Sequence, residues 1–180
     1  KGNADGFGTA ASFLNPLGVA VDPIDGAFAL VCDSGNHAVR RVALDWDADA
    51  VGGERNRWRV TNVAGRQCSL NTCRPTNSEG NPRDGVGTAA SFTNPHAITI
   101  DPVRGAYALV IDGQQRIRRI DLATRDVTTV LGRGSNSAAG RGVTFVIPRG
   151  LVIHPSGRYA LVADAGNDNT ASALRRVELV

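Results

Sequence analysis

The sequence predicts an all-β protein built from repeated antiparallel sheets, and three observations lead to this fold class. A twelve-residue segment occurs twice with little change, as DGFGTAASFLNP at 5–16 and DGVGTAASFTNP at 84–95, with an offset of 79 residues. Short apolar runs bounded by Gly, Pro, Asp and Asn follow each copy, which is typical of strands. No segment keeps a helical period of 3.6 residues.

A shortened third copy follows the second after 53 residues. Phe145 corresponds to Phe92, and Pro148 corresponds to Pro95. The chain is therefore an array, in which each repeat is one structural unit that packs against its neighbours. A β-sandwich with chance similarity is the alternative, and near-identity at twelve matched positions disfavours it.

Each repeat predicts the same succession of elements. A first apolar strand follows the Pro, and an Asp-Pro or His-Pro turn with a later Gly signals a hairpin. A second strand ends at an Asp, a polar turn leads to a third, and the first two copies add a fourth. The predicted strands are 17–21, 27–32, 38–44 and 58–63, then 96–100, 106–111, 116–122 and 127–131, then 150–153, 158–163 and 174–179.

Four short antiparallel strands per repeat describe the blade of a β-propeller. Blade 1 spans about 5–66 with insertions at 45–57 and 67–83, blade 2 spans about 84–132, and blade 3 spans about 137–180. We expect Gly6, Gly8, Gly85 and Gly87 to lie in turns between the outer strand of one blade and the inner strand of the next. The third blade is incomplete, and propellers use about four to eight blades. We therefore expect the other blades of a larger protein to complete the ring. Two copies closing a ring, or an unrelated partner on the open faces, are the alternatives.

The pattern D-G-x-G-x-x-A-x-F-x-x-P, an apolar strand, D-P and then D-x-G-N-H-x-[IV]-R resembles the NHL repeat over nearly the whole chain. Asn36 and His37 carry the eponymous pair, whereas the second copy has GQQR at 113–116 and the third has extra residues at 168–172. The resemblance implies a six-bladed ring. It does not imply one activity, because NHL propellers serve in RNA binding, protein binding, extracellular receptors and a peptide-amidating lyase.

Three side chains recur at equivalent places in all three copies. We expect each Phe to wedge between neighbouring blades, and each Arg to pair with an Asp of its own or the adjacent blade and so hold the loop. A row of anion-binding arginines is the alternative. These residues are Phe13, Phe92 and Phe145, Arg40, Arg118 and Arg175, and Asp33, Asp112 and Asp164.

Composition bounds the class of partner. The chain has 20 Lys and Arg against 17 Asp and Glu, a formal net charge of +3, and only 5% aromatic residues. No aromatic and basic stacking platform stands out, which disfavours nucleic acid. No apolar stretch reaches 18 residues, so we expect no membrane span.

The two insertions are the candidate interaction loops, because insertions in repeat proteins map to one, often binding, face. The first carries Trp46, Arg55 and Arg57, and Trp58 directly follows it. The second carries Cys68 and Cys73, for which a disulfide is the favoured prediction and two free thiols the alternative; a zinc site lacks further ligands nearby. A disulfide indicates an oxidising compartment, hence an extracellular or cell-surface location.

No catalytic constellation stands out. His96 and His154 lie at non-equivalent ends of first strands, so we do not expect the shared zinc that the resemblance to amidating lyases would imply. We expect no cofactor, although an axial calcium held by carbonyl or Asp oxygens stays open. The sequence therefore favours a non-catalytic binding or scaffolding module that contacts a protein partner or the remaining blades. Part of an amidating-lyase or lactonase-like propeller enzyme, and an RNA-binding domain, are the alternatives.

Overall fold

The predicted all-β fold is confirmed. The computed structural model describes residues 1–46, 56–66, 82–113, 115–132, 144–167 and 169–179. In these residues thirteen strands form three antiparallel sheets, joined by turns that include short 3₁₀ segments. No described segment is a helix with the length and apolar character needed to cross a membrane.

Blade 1 is a sheet in the order β1-β5-β4-β3-β2. Its strands are β1 (Gly6–Phe7), β2 (Pro16–Val21), β3 (Phe28–Asp33), β4 (Ala38–Trp46) and β5 (Asn56–Ala64). Pro16 opens β2, a position in which a missing N–H removes no bond from the interior of the sheet.

Blade 2 repeats this order as β6-β10-β9-β8-β7, and the described part of blade 3 is the sheet β11-β12-β13. The strands of blade 2 are β6 (Gly85–Val86), β7 (Pro95–Ile100), β8 (Tyr107–Asp112), β9 (Arg116–Asp121) and β10 (Asp126–Gly132). Those of blade 3 are β11 (Pro148–Ile153), β12 (Tyr159–Asp164) and β13 (Ala173–Glu178).

Blades 1 and 2 have five strands rather than the predicted four. The extra strands, β1 and β6, are two residues long and pair with the outer strand of their own blade, as Gly6 with Val60 and Gly85 with Val127. The prediction that these glycines lie in turns between blades was therefore wrong. Their φ values of 149° and 152° suit glycine.

The first insertion, predicted to be a loop, forms strand in its described part. Strands β4 and β5 are nine residues long, and their pairing continues from Leu44 with Trp58 to Trp46 with Asn56. In blade 2 the matching hairpin closes between Asp121 and Asp126. Blade 1 therefore carries a longer hairpin arm, of which residues 47–55 lie outside the described part.

The blades lie side by side around their innermost strands. Strand β7 neighbours both β2 and β11. The contact is close, since a Cβ added at Gly18 would lie 2.7 Å from the carbonyl oxygen of His96. We call the face of the blades at which these strands begin, with Pro16, Pro95 and Pro148, the proline face.

Two apolar cores separate the three blades. Phe92 is fully buried among Leu30, Val39 and Ala64 of blade 1 and the apolar residues of blade 2. Phe145 occupies the equivalent place between blades 2 and 3. Phe13, at the open side of blade 1, is half-buried. Phe92 and Phe145 thus form the wedges between blades that the repeat pattern predicts.

Candidate functional site

The recurring Arg and Asp side chains form buried junctions in blades 1 and 2. In blade 2, Arg118 Nη1 donates to Asp112 Oδ2 and Nη2 donates to Asp84 Oδ1, both at 2.9 Å. The same guanidinium donates to the carbonyl oxygens of Ser91 and Arg83. Arg118 and Asp112 are both fully buried, so each needs the other to offset the loss of water.

Arg40 repeats this junction in blade 1. It donates to Asp33 at 2.9 Å, to Asp5, and to the carbonyl oxygens of Ser12 and Ala4. Its guanidinium lies 5.3 Å from the Phe13 ring centre, and that of Arg118 lies 5.2 Å from the Phe92 ring centre. Each Arg thus joins the repeated segment to the strands of its blade. Neither is exposed to an external anion, so the alternative of an anion-binding row fails for these two.

The third junction is open to water. Arg175 Nε donates to Asp164 Oδ2 at 2.8 Å, and the Arg175 side chain is 41% exposed. Burial disfavours the ionised form of Asp164, but N–H groups of Ile147 and Val146 and the Arg175 guanidinium outweigh it and lower the pKa of this carboxyl. All three predicted Arg–Asp pairs are therefore formed, in two different environments.

His37 links blades 1 and 2 at the proline face. It follows a 3₁₀ turn in the left-handed conformation, with φ of 54°. The N–H of Asn94 donates to its Nδ1 at 3.2 Å. Burial lowers the pKa of His37, and the negative charge of Asp112 partly opposes that shift. The neutral ring is the form that can accept this hydrogen bond.

A cleft of about 880 Å³ opens on the proline face across all three blades. Two asparagines with positive φ, Asn15 and Asn94, turn the chain into the innermost strands at its edge. Arg149 of β11 is exposed beside it, and Leu17 of β2 is 56% exposed. The described lining is Asn15, Leu17, Ser34, Thr93, Asn94, His96, Gly113, Gln115, Arg116 and Arg149.

His96 lines this cleft and contacts the next blade. Its Nε2 lies 2.9 Å from the carbonyl oxygen of Pro148, which joins blade 2 to blade 3. His154 follows the end of β11, at the other end of the innermost strands, and stacks on Tyr159 with ring centres 4.4 Å apart. The structure therefore keeps the two histidines apart. Among the described residues, no group of three or more His, Cys, Asp or Glu side chains is arranged to hold a metal ion.

The predicted interaction loops are described only in part. Trp58 lies on β5 and is 55% exposed. Trp46 lies on β4 and Arg57 on β5, in the hairpin arm, where Arg57 pairs with Asp45 through the backbone. Arg55, Cys68 and Cys73 lie outside the described residues, so the disulfide stays a prediction. Cys32 is a free, buried thiol whose pKa is raised by burial, which does not suit a nucleophile.

A second recurring set of side chains was not predicted. The Arg that follows each junction Arg points away from it and stacks on the aromatic residue that opens the second strand. The pairs are Arg41 over Phe28 at 4.6 Å, Arg119 over Tyr107 at 4.5 Å and Arg176 over Tyr159 at 4.2 Å. The repeated Arg-Arg dipeptide and the aromatic at each strand start carry the signal.

Comparison with known proteins supports this architecture. No protein-family model matches the chain. It is 30% identical over 166 residues to NHL repeat-containing protein 2 of Homo sapiens, and 29% identical over 165 residues to that of Bos taurus. These matches cover 87% of the chain but 20% of each relative, so the chain spans about a fifth of their length.

Solved structures agree on the fold. An auxiliary nutrient binding protein from Bacteroides thetaiotaomicron matches 81% of the chain with 34% of its own, at 22% identity and a TM-score of 0.56. The structure of a nidogen/laminin complex matches 95% of the chain with 49% of its own, at 17% identity and a TM-score of 0.54. These neighbours are β-propeller proteins. These structures show the fold alone, and the identity to NHL repeat-containing protein 2, the repeat pattern and the blade geometry together identify the chain as a segment of an NHL-repeat β-propeller.

Proposed function

We propose that this chain is part of a non-catalytic binding module that holds an acidic segment of a protein partner at its proline face. The observation that carries the proposal is the cleft across the three blades. Its volume of about 880 Å³ falls within the range of ordinary ligand sites. It is lined by residues from all three blades, so a bound segment would contact the whole array.

The chemistry of the lining favours an acidic ligand. Arg116 and Arg149 bring two guanidinium groups to the cleft, and none of its described lining residues is Asp or Glu. Guanidinium groups bind carboxylates through paired, charge-assisted hydrogen bonds. The exposed Leu17 adds an apolar contact, and the amides of Asn15 and Asn94 can bond to a peptide backbone. An extended segment with Asp or Glu beside an apolar residue fits this set.

Two further features support a protein partner. The longer hairpin arm of blade 1 presents Trp58 to solvent, and tryptophan is enriched among the residues that dominate protein interfaces. One structural neighbour comes from a nidogen/laminin complex, an assembly of two proteins. The location that we propose is extracellular or at the cell surface, on the expectation that Cys68 and Cys73 are joined.

The location proposal has a direct chemical test. Peptide mapping of the denatured, unreduced protein after alkylation should show the label on Cys32 and a disulfide-linked peptide that contains Cys68 and Cys73. Alkylation of all three cysteines without reductant would overturn the expected disulfide, and with it the argument for an oxidising compartment.

The binding proposal is tested by titrating the intact protein with a fluorescent Glu- and Leu-containing peptide and measuring anisotropy. A Lys-containing peptide of equal length and a single-stranded RNA serve as the other probes. We expect only the acidic peptide to bind, with affinity that falls as salt rises. Arg149→Glu should weaken binding about tenfold or more. Arg158→Glu is the matched control, since Arg158 is exposed in the turn between β11 and β12, away from the proline face.

The outcomes separate the candidate functions. Equal affinity in the Arg149→Glu and Arg158→Glu proteins would contradict the assignment of the site. Preferential binding of the RNA would contradict a protein partner and favour a nucleic-acid function.

A further inference from the structure

A second cleft lies between blades 1 and 2. Its volume is about 680 Å³. Blade 1 supplies one wall from β3, β4 and β5. Blade 2 supplies the other from the turn at Gly105 and the hairpin at Leu122 and Arg125. Its described lining has no residue in common with that of the proline-face cleft.

The cleft combines an apolar wall with a cationic rim. Phe28, Leu30, Val63 and Leu122 line its apolar part. The guanidinium of Arg41 is held over the Phe28 ring at 4.6 Å, at the boundary between the two parts. A site with this division suits a ligand that has an apolar body and a negatively charged head.

Among the described residues of the lining, three are arginines and one is a carboxylate. The arginines are Arg41, Arg59 and Arg125, and the carboxylate is Asp5. Asp5 is already engaged, since Arg40 Nη2 and the N–H of Asn62 both donate to it. Arg41 and Arg125 therefore add positive charge to the described lining.

The repeat shows that this charge is not part of the blade architecture. In blade 2, Arg119 occupies the place of Arg41 and lies 3.8 Å from the carboxylate of Asp121. The residue of blade 1 in register with Asp121 is Ala43, as the pairings with Phe28 and Tyr107 show. Blade 1 thus has the same cation, but Ala43 stands at the register position that holds Asp121 in blade 2.

A second position differs in the same direction. Arg59 pairs with Phe7 of β1, whereas the residue that pairs with the equivalent Val86 of β6 is Asp126. At both positions, Ala43 and Arg59, blade 1 therefore lacks the Asp that blade 2 carries, and Arg59 is among the described lining residues. A residue shared by every blade serves the fold, whereas a departure at two neighbouring positions indicates a site.

One polar atom near the cleft also lacks a partner. The side-chain oxygen of Asn62 is buried and accepts no hydrogen bond from the described residues, while Asn62 Nδ2 donates to the carbonyl oxygen of Gly65. In blade 2 the hydroxyl of the equivalent Thr129 donates a hydrogen bond to Asp84 Oδ1 at 2.8 Å. A buried acceptor of this kind costs free energy unless a donor reaches it.

We propose that the cleft between blades 1 and 2 binds a small amphipathic anion, an apolar body that carries a carboxylate. The apolar body lies against Phe28 and Leu122, and the carboxylate lies between the guanidinium groups of Arg41 and Arg125. This site does not depend on the proposed function of the proline face.

The test is isothermal titration calorimetry of the intact protein with 4-phenylbutyrate. The matched neutral probe is 4-phenyl-1-butanol, and acetate supplies the charge without the apolar body. We expect 4-phenylbutyrate to bind at least about tenfold more tightly than either of the other two. Equal binding of the alcohol would overturn the proposed role of the cations.

Matched variants locate the site. Arg41→Gln should weaken 4-phenylbutyrate binding about tenfold, whereas Arg119→Gln, the same change in blade 2, should leave it unchanged. The double variant Ala43→Asp with Arg59→Asp, which copies residues that the blade 2 sheet already carries in the same register, should abolish binding. Unchanged affinity in Arg41→Gln and in the double variant would overturn the proposal.

A measurement on the unchanged protein keeps the test independent of variant folding. Methyl chemical shifts of Val63 and Leu122 should move on titration with 4-phenylbutyrate, while those of Leu17 on the proline face should not. Shifts confined to the proline face would place the ligand in the other cleft and refute this site.

Discussion

Loss of the charge on Asp112 should destabilise the protein far more than the same loss on Asp164. Asp112→Asn leaves the fully buried Arg118 without its buried partner. Breaking a buried ion pair costs about 3–5 kcal/mol. Asp84 still contacts Arg118 and is 32% exposed, so we expect the lower end, about 3 kcal/mol.

Asp164→Asn is the matched control at the equivalent position of blade 3. Arg175 is 41% exposed, so water takes over the solvation of its charge, and we expect a loss of about 1 kcal/mol or less. Urea unfolding of the intact protein measures both losses, and for an m-value of about 2 kcal/mol per molar the Asp112→Asn midpoint falls by about 1.5 M. Replacing Arg118 as well, by Met, should recover part of the Asp112→Asn loss.

Two outcomes would refute this reasoning. Losses that agree within about 0.5 kcal/mol in the two Asn variants would show that burial of the guanidinium does not set the cost. A double variant that is less stable than Asp112→Asn alone would show that the uncompensated charge is not its cause.

Three other predictions concern acid sensitivity and backbone conformation. The pKa of Asp164 is lowered below 3.8, so the stability that its ionised form contributes is present above pH 3.8 and is lost as the pH falls through the folded-state pKa. In urea unfolding, the stability difference between the wild-type protein and Asp164→Asn should therefore shrink in that acid range. A constant difference would contradict the shift. The pKa of His37 is lowered below 6.5, so below that pH the unfolded state binds more protons at this residue than the folded state does. The protein should therefore lose stability as the pH falls through 6.5. His37→Gln should not show this loss in the same pH series. Gly65→Ala should lower the free energy of unfolding by more than about 3 kcal/mol, because the added Cβ would lie 2.5 Å from the His37 carbonyl oxygen at a φ of 94°. Gly26→Ala, which has open space around the added Cβ, should lower it by about 1 kcal/mol. Thermal unfolding measures both, and equal losses would contradict the role of the clash.

The repeat made much of the fold predictable. Matching positions placed Phe92 and Phe145 between blades, and placed Arg40 and Arg118 beside Asp33 and Asp112, because one structural unit repeats its contacts. The sequence did not predict β1 and β6, since two-residue strands that contain glycine carry no periodicity. It also did not predict how far the blade 1 hairpin extends, because a polar insertion has the same residue pattern whether it forms a strand or a turn.

The candidate sites depended on geometry that the sequence does not carry. The proline-face cleft joins residues from three repeats, and only the placement of the innermost strands brings Leu17 and Arg149 to one opening. The contact of His37 with Asn94 crosses two blades in the same way. The sequence does show one difference that bears on the cleft between blades 1 and 2, since Ala43 and Arg59 replace Asp121 and Asp126 of the second repeat. This difference can be interpreted only once the strand register shows that the positions are equivalent.

The arrangement of consecutive blades around neighbouring innermost strands is the basis of both proposed sites, and a NOESY spectrum of the intact protein, labelled in this segment, tests it most directly. Gly18 lies against Ala97 of the next blade, and Gly65 lies against the Phe92 ring. We expect cross-peaks between the α-protons of Gly18 and Ala97, and between Gly65 and the ring protons of Phe92. Spectra that show the pairing of Val19 with Val31 inside blade 1 but lack both contacts between blades would contradict the propeller arrangement.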